Sequence, residues 1–87
     1  MKFAVTVEVS GLEGISDPEG QTIERALPLL GFEGVEHMRV GKMFRFEVEA
    51  PDAAAARETS DRLSATLLAN PVIERADVRV GEPGTAG

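Results

Sequence analysis

The 87-residue sequence contains no cysteine, tryptophan or tyrosine, and His37 is its one histidine. Without cysteine no disulfide can stabilise the domain, and zinc is left with carboxylates and one imidazole, an uncommon donor set for that ion. A nucleophilic catalytic site needs a base, a nucleophile and an orienting acid, and none of the four serines lies in a G-x-S-x-G turn. We therefore expect no catalytic residue and no metal site on this chain.

Basic residues are scarce, with nine Lys and Arg against fifteen Asp and Glu and a formal net charge of -6. Phosphate recognition depends on clustered basic side chains, and stacking on single-stranded nucleic acid needs aromatic platforms, whereas four phenylalanines are all the aromatic residues present. Nucleic acid is therefore not an expected partner. Long apolar runs and a recognisable signal or transit peptide are also missing, so we expect no membrane partner and a cytoplasmic location.

Short runs of alternating apolar and polar residues predict four strands, at about residues 2–9, 35–40, 43–50 and 72–80. The pair Gly41-Lys42 separates the two middle runs by the tight spacing of a β-hairpin. Apolar residues at helical spacing predict one helix over 18–30 and a second from Asp52 to about Asn70, and Pro28 should bend or shorten the last turn of the first helix.

The resulting order, βαββαβ, predicts an α+β fold of the ferredoxin-like type, with a four-stranded antiparallel sheet and two helices on one face. We expect a single domain over residues 1–81 and a flexible C-terminal tail over 82–87. The other face of the sheet, which is either solvated or meets a partner, would carry charges of both signs: Thr6, Glu8, Arg45, Glu47, Arg75, Asp77 and Arg79. Because a small domain without disulfides often depends on association, we expect a homodimer or a larger homo-oligomer.

The stretch SDPEG, residues 16–20, places two carboxylates next to a predicted helix start. Asp17 suits the N-cap, Pro18 the first helical position, and Glu19 the positive end of the helix dipole. Gly20 has no such local explanation and indicates a close approach of another backbone. The alternative is that the carboxylates take a direct part in chemistry or metal binding.

Two other short segments allow a structural and a functional interpretation. Lys42 follows a glycine, but a phosphate loop needs glycine at position 36 and a hydroxyl residue at position 43, where the chain has Glu36 and Met43. Lys42 is then either a solvated turn residue or a contact to a partner or an anion. Asn70 and Pro71 suit the end of a helix, where Asn can satisfy the last carbonyls or adopt a left-handed conformation.

Three strings occur in one order and spacing: ISDPEG at 15–20, MRVGKMF at 38–44 and LLANPVIE at 67–74. Together they resemble the small subunit of phosphoribosylformylglycinamidine synthase, the PurS family, over about residues 2–80. The residues that match the family motifs, and that the resemblance marks as candidate partner contacts, are Asp17, Pro18, Gly20, Gly41, Lys42, Asn70, Val72, Ile73 and Glu74. Glu13 stands near a position where the family often has lysine, and Pro28 interrupts a helix that is usually continuous.

The resemblance implies a non-catalytic subunit of an enzyme complex in purine biosynthesis. In that family a glutaminase subunit releases ammonia from glutamine and a large synthetase subunit uses ATP, so this chain itself is expected to hold no cofactor. The small subunit is expected to join these two partners so that ammonia can pass between them.

Two other classes of function fit the same order of elements. One is a regulatory domain of the ACT type that binds a small molecule, although such domains normally accompany an enzyme on the same chain. The other is a small enzyme of the acylphosphatase type, which needs an arginine in the loop after the first strand. The loop here, SGLEGIS, contains none.

Overall fold

Three strands and two α-helices form the fold in a computed structural model that describes residues 1–83. In chain order the elements are β1 (Lys2–Gly11), α1 (Pro18–Ala26), β2 (Gly41–Glu49), α2 (Ala53–Leu63) and β3 (Glu74–Pro83). A 3₁₀ turn over Pro28–Leu30 follows α1, and a π-helical turn over Ser64–Leu68 follows α2. The predicted α+β class is confirmed.

The sheet is antiparallel with the strand order β2-β1-β3, so β1 lies in the centre. Val5, for example, lies opposite Phe46 of β2 and Val80 of β3. The alternation predicted for β1 is confirmed, because its core-facing residues are at most 2% exposed: Phe3, Val5, Val7 and Val9. In the central position β1 has a neighbouring strand on each side, and both help to shield this apolar row from water. This explains why β1, rather than a more polar strand, is central.

Helix α2 and the π-helical turn after it pack across the buried face of the sheet through small side chains, namely Ala56, Ser60 and Ser64. The buried hydroxyls of Ser60 and Ser64 donate to the backbone carbonyls of Ala56 and Ser60, at 2.8 and 2.7 Å. These bonds satisfy hydroxyls that would otherwise be costly to bury. Helix α1 has little contact with the strands, so the expectation that two helices cover this face holds for α2 alone.

The sequence predicted a fourth strand over 35–40, and this was wrong for the residues that the structure describes. His37 has a left-handed backbone with φ of 59°, which interrupts an extended run. The amides of Met38 and Val40 are taken up by the carboxylates of Glu24 and Asp17 instead of a neighbouring strand. The predicted hairpin at Gly41-Lys42 is absent for the same reason, and Gly41 begins β2 opposite Ser10.

The predicted helix starts are confirmed, whereas the ends differ. Asp17 and Asp52 are the N-caps of α1 and α2, each accepting an amide hydrogen bond in its first turn. The prediction of one helix over 18–30 was wrong beyond Ala26, since Pro28 lacks the amide that a longer α1 would need. Strand β3 continues to Pro83, past the predicted domain end at 81, and the rest of the predicted tail, residues 84–87, lies outside the described residues.

The chain is extended for its length, with a radius of gyration of 16.4 Å and dimensions of 51 × 28 × 15 Å. A compact domain of this size has a radius of gyration of about 12 Å. Several large apolar side chains are correspondingly exposed, among them three that follow α1: Leu29, Leu30 and Phe32, at 89%, 70% and 57%. The isolated chain therefore leaves much of its apolar surface in water.

Candidate functional site

The three motif segments converge at the C-terminal end of β1. Gly41 lies opposite Ser10 on one side of this strand, and Glu74 lies opposite Gly11 on the other. An open cleft of ≈ 350 Å³ lies between the segments, and its lining residues are Val9, Ser10, Asp17, Glu19, Val40, Gly41, Lys42 and Glu74. Four of the nine motif residues, Asp17, Gly41, Lys42 and Glu74, thus share one site.

Asp17 is the central polar residue of this site. Its Oδ1 accepts a hydrogen bond from the amide of Gly20 at 2.9 Å, and its Oδ2 accepts one from the amide of Val40 at 2.8 Å. The Gly20 amide, followed by the Val40 amide, lowers the pKa of Asp17, and the positive charge of Arg39 adds to this against the opposing effect of burial. Asp17 is therefore an ionised cap that also ties α1 to the segment before β2.

Gly20 is needed because a carbonyl lies against it. A Cβ atom at this position would stand 2.6 Å from the carbonyl oxygen of Met38, closer than real Cβ contacts come. Sequence analysis expected a close backbone approach here, and the approaching backbone belongs to the same chain. Pro18, at the first helical position as predicted, lets the chain enter α1 without an unpaired amide.

Three further residues hold the site together and were not singled out from the sequence. Glu24 accepts a hydrogen bond from the amide of Met38 at 2.8 Å. Arg39 reaches back over the site, with guanidinium nitrogens 3.4 Å from the carbonyl oxygens of Leu12 and Ile15. Ser10 lines the cleft and lies opposite Gly41 on the neighbouring strand. These contacts join positions 14 to 31 residues apart, so no local sequence pattern could have indicated them.

Gly41 and Lys42 differ in what they contribute. A Cβ at Gly41 would lie 2.5 Å from the carbonyl oxygen of Val9, so only glycine allows β2 to pair here. Lys42 is exposed and makes no hydrogen bond or ion pair within the described residues. A second open cleft of ≈ 380 Å³ adjoins the first and is lined by Glu8, Val9, Ser10, Arg39, Gly41, Lys42 and Met43. Lys42 therefore lines both clefts as a cation without a partner in the described part of the chain.

Asn70 and Glu74 close a turn between α2 and β3. The amide of Asn70 donates to Glu74 Oε1 at 2.8 Å, the amide of Glu74 donates to the Asn70 carbonyl at 2.7 Å, and Asn70 Oδ1 accepts the amide of Val72 at 3.1 Å. Asn70 therefore caps the turn with its side chain, and it does not have the left-handed backbone considered for it. Val72 and Ile73 are 78% and 41% exposed, and the Ile73 carbonyl accepts the amide of Leu12 at 2.9 Å.

The site is an open polar surface. Among residues 1–83 no three His, Asp or Glu side chains are grouped so that they could hold a metal ion. In the same range no helix combines the length and the apolar character needed to cross a membrane. Most polar groups of the motif residues are engaged by the chain's own backbone, whereas the side chains of Lys42, Val72 and Ile73 are exposed.

Known proteins resemble the chain over nearly its whole length. The model of the PurS family, described as phosphoribosylformylglycinamidine (FGAM) synthase, matches residues 4–82. The PurS subunit of phosphoribosylformylglycinamidine synthase from Methanocaldococcus jannaschii is 35% identical over 78 residues, which are 90% of this chain and 94% of that protein.

Solved structures agree with these matches. The crystal structure of the purS subunit from Thermotoga maritima aligns with a TM-score of 0.85 and 35% identity, covering 92% of both chains. A chain in the structure of PurLQS from Thermotoga maritima aligns with the same TM-score and identity, covering 92% of this chain and 98% of that chain.

Proposed function

Because the chain belongs to the PurS family of phosphoribosylformylglycinamidine synthase, we propose that it is the non-catalytic small subunit that assembles this enzyme complex in purine biosynthesis. Its partners in this proposal are a glutaminase subunit, which releases ammonia, and an ATP-dependent synthetase subunit, which consumes it. The small subunit holds the two together so that ammonia passes between them. Glutamine and ATP are bound by the partners and not by this chain, and the complex works in the cytoplasm.

One observation carries this proposal: the chain aligns over 92% of its length with a chain found within a PurLQS assembly. The site at the end of β1 supports the same function, since it is an open surface with exposed apolar residues and with a Lys42 that has no partner among residues 1–83. Exposed apolar side chains next to charged ones are compatible with a surface that binds another protein.

Self-association is the second part of the proposal. The radius of gyration of 16.4 Å and the exposed Leu29, Leu30 and Phe32 support it, because a chain of this length rarely leaves so much apolar surface in water as a monomer. A homodimer or larger homo-oligomer would bury part of this surface and compensate for the thin core. The oligomer would then be the form that meets the two other subunits.

Reconstitution tests the assembly function. The purified chain is mixed with the glutaminase and synthetase subunits of the same organism in the presence of glutamine and ADP, and the mass of the product is measured by size-exclusion chromatography with light scattering. We expect a complex that contains all three chains and glutamine-dependent activity that requires this chain. A mixture in which the chain elutes alone while the two others remain active would contradict the proposal.

The regulatory alternative predicts a different result in a thermal-shift experiment. A domain of the ACT type should gain stability from a free amino acid, since a ligand that binds the folded state raises its melting temperature. We expect no such shift with the chain alone. A specific shift without any co-elution would favour the regulatory function.

A further inference from the structure

One face of the sheet carries no helix within residues 1–83. Helix α2 lies on the other face, where its Ala56 joins the buried cluster that contains Phe3, and α1 makes little contact with any strand. The open face presents the residues of β1 that alternate with the buried ones. Sequence analysis expected charges of both signs there, either solvated or against a partner, and the strand pairing now gives their order.

The pairing register sorts these charges into two rows that run across the strands. Arg45 of β2 and Arg79 of β3 lie opposite Thr6 from its two sides and form a basic row. Two positions along the strands, Glu8 and Asp77 lie directly opposite each other and form an acidic row. All four charged residues are exposed. The rows are about 7 Å apart, which is twice the rise per residue of a strand.

This order is unfavourable for the isolated chain. Like charges directly opposite each other on neighbouring strands are destabilising, as they are for Glu8 and Asp77. At the far end of the sheet Lys2 lies opposite Glu49, which is the favourable arrangement. Among residues 1–83 the one ion pair between the rows joins Arg79 to Asp77 at 3.5 Å, and pairs as exposed as this contribute little to stability. Both rows therefore retain charge that a partner could neutralise.

On the premise of the proposed assembly function, we propose that this face docks on one of the other two subunits of the complex, whose surface carries an acidic row beside a basic row at the same spacing. The partner's acidic row lies against Arg45 and Arg79, and its basic row lies against Glu8 and Asp77. Each charge of the sheet then meets an opposite charge. Because the rows differ in sign, the contact has one preferred orientation as well as an attraction.

A second copy of the chain is the less suitable occupant of this face. Interfaces between copies that associate permanently are rich in apolar residues and poor in charge. The apolar side chains that support self-association, Leu29, Leu30 and Phe32, belong to the segment after α1 and not to the strands. A charged face suits a contact between different subunits, where charge also excludes wrong partners.

Reversal of each row distinguishes this docking from an attraction due to net charge. Arg45→Glu with Arg79→Glu makes the chain more acidic, and Glu8→Arg with Asp77→Arg makes it less acidic. Complementary rows predict that both double variants bind the partner at least about tenfold more weakly than the wild type. Net charge alone predicts opposite effects of the two, and that result would overturn the docking. Biosensor titration at low salt measures the affinities for the glutaminase, the synthetase and a mixture of both with glutamine and ADP.

A variant with the two rows exchanged keeps the net charge constant. It combines the four reversals with Glu47→Arg and Arg75→Glu, so that charges still alternate in sign along β2 and β3. Circular dichroism should report an unchanged fold. We expect this variant to lose at least as much affinity as either double variant. Binding with the affinity of the wild type would show that the partner does not recognise the order of the charges.

Arg57→Glu with Arg62→Glu is the matched control, since both arginines are exposed on α2, on the other side of the sheet. It should bind like the wild type, and a loss equal to that of Arg45→Glu with Arg79→Glu would overturn the docking. A row variant whose own mass by light scattering differs from that of the wild type would assign the face to a contact between copies instead. A wild type that binds neither subunit overturns the assembly function itself, whereas binding that no row variant alters overturns only the docking face.

Discussion

Asp17 and Val40 are joined by a 2.8 Å hydrogen bond across 23 residues of sequence, from the amide of Val40 to Oδ2 of the carboxylate. The other oxygen of the same carboxylate caps α1. One side chain therefore fixes both the start of the first helix and the approach of the chain to β2. The structural role of the SDPEG stretch therefore extends beyond its own helix.

Replacement of Asp17 by alanine should destabilise the chain more than the same change at Asp52. Asp52 caps α2 through a single bond, from the amide of Ala55 at 2.8 Å, and the loss of such a cap costs about 1 kcal/mol. Asp17→Ala releases two amides in separate parts of the chain. Urea unfolding of both variants measures the difference, and faster hydrogen exchange at Val40 should accompany Asp17→Ala alone. Equal losses would contradict the double role.

The pH dependence of stability should report the same carboxylate. Because the folded-state pKa of Asp17 is lowered, its contribution is present above the unfolded-state value near 3.9 and is lost as the pH falls through the folded-state value. Asp17→Asn removes this titration. The wild type should therefore be more stable than Asp17→Asn at pH 7, and the difference should shrink below about pH 4. Urea midpoints at pH 2 to 7 test this, and a constant difference would count against it.

Gly20→Ala should be costly even though alanine favours helices. The added Cβ would meet the Met38 carbonyl at 2.6 Å, and overpacking of this kind costs about 1–3 kcal/mol. Gly11→Ala serves as the control, since a Cβ there has no neighbour closer than 4.0 Å. Thermal unfolding should show a lower melting temperature for Gly20→Ala and little change for Gly11→Ala. A neutral Gly20→Ala would mean that Met38 moves aside without cost.

Lys42→Ala should separate assembly from folding. The side chain is exposed and unpaired in the described residues, so its loss should change the free energy of unfolding by no more than about 0.5 kcal/mol. If the cleft meets a partner subunit, the affinity for the glutaminase and synthetase should fall about tenfold, in line with the loss of one strong interface contact. Lys2→Ala, at the other end of β1, is the control. Biosensor titration of the partner subunits measures both, and unchanged affinity would remove Lys42 from the interface.

The parts of the fold that were predictable from the sequence are those with a local cause. The alternation from Phe3 to Val9 identified the central strand and its buried face, and Asp17 and Asp52 identified both helix starts. The strand predicted for residues 35–40 was wrong. Their alternation is typical of a strand, but amides in this segment donate to carboxylates far away in sequence. For Gly20 the sequence showed only that no local feature requires a glycine there. The Met38 carbonyl that does require it lies 18 residues further along the chain.

The sequence identified the three motifs of the candidate site, but it did not show that they lie close together in the fold. Asp17, Gly41 and Glu74 meet because β1 pairs with β2 and β3 at its last residues, a consequence of strand order. Arg39 and Glu24, which hold the segments together, act through single long-range bonds. Spacing along a sequence carries no information on such contacts.

The central position of β1 also shapes how the protein is made. This strand precedes both of its partners in the chain, so Val5 meets Phe46 and Val80 only after the segments that carry them have been made. During that interval the residues from Phe3 to Val9 form an apolar, strand-forming segment without a partner. Segments of this kind make nascent chains prone to aggregation. Pairing of β1 with both β2 and β3 ends this exposure, so completion of the sheet depends on the strand that is made after both helices.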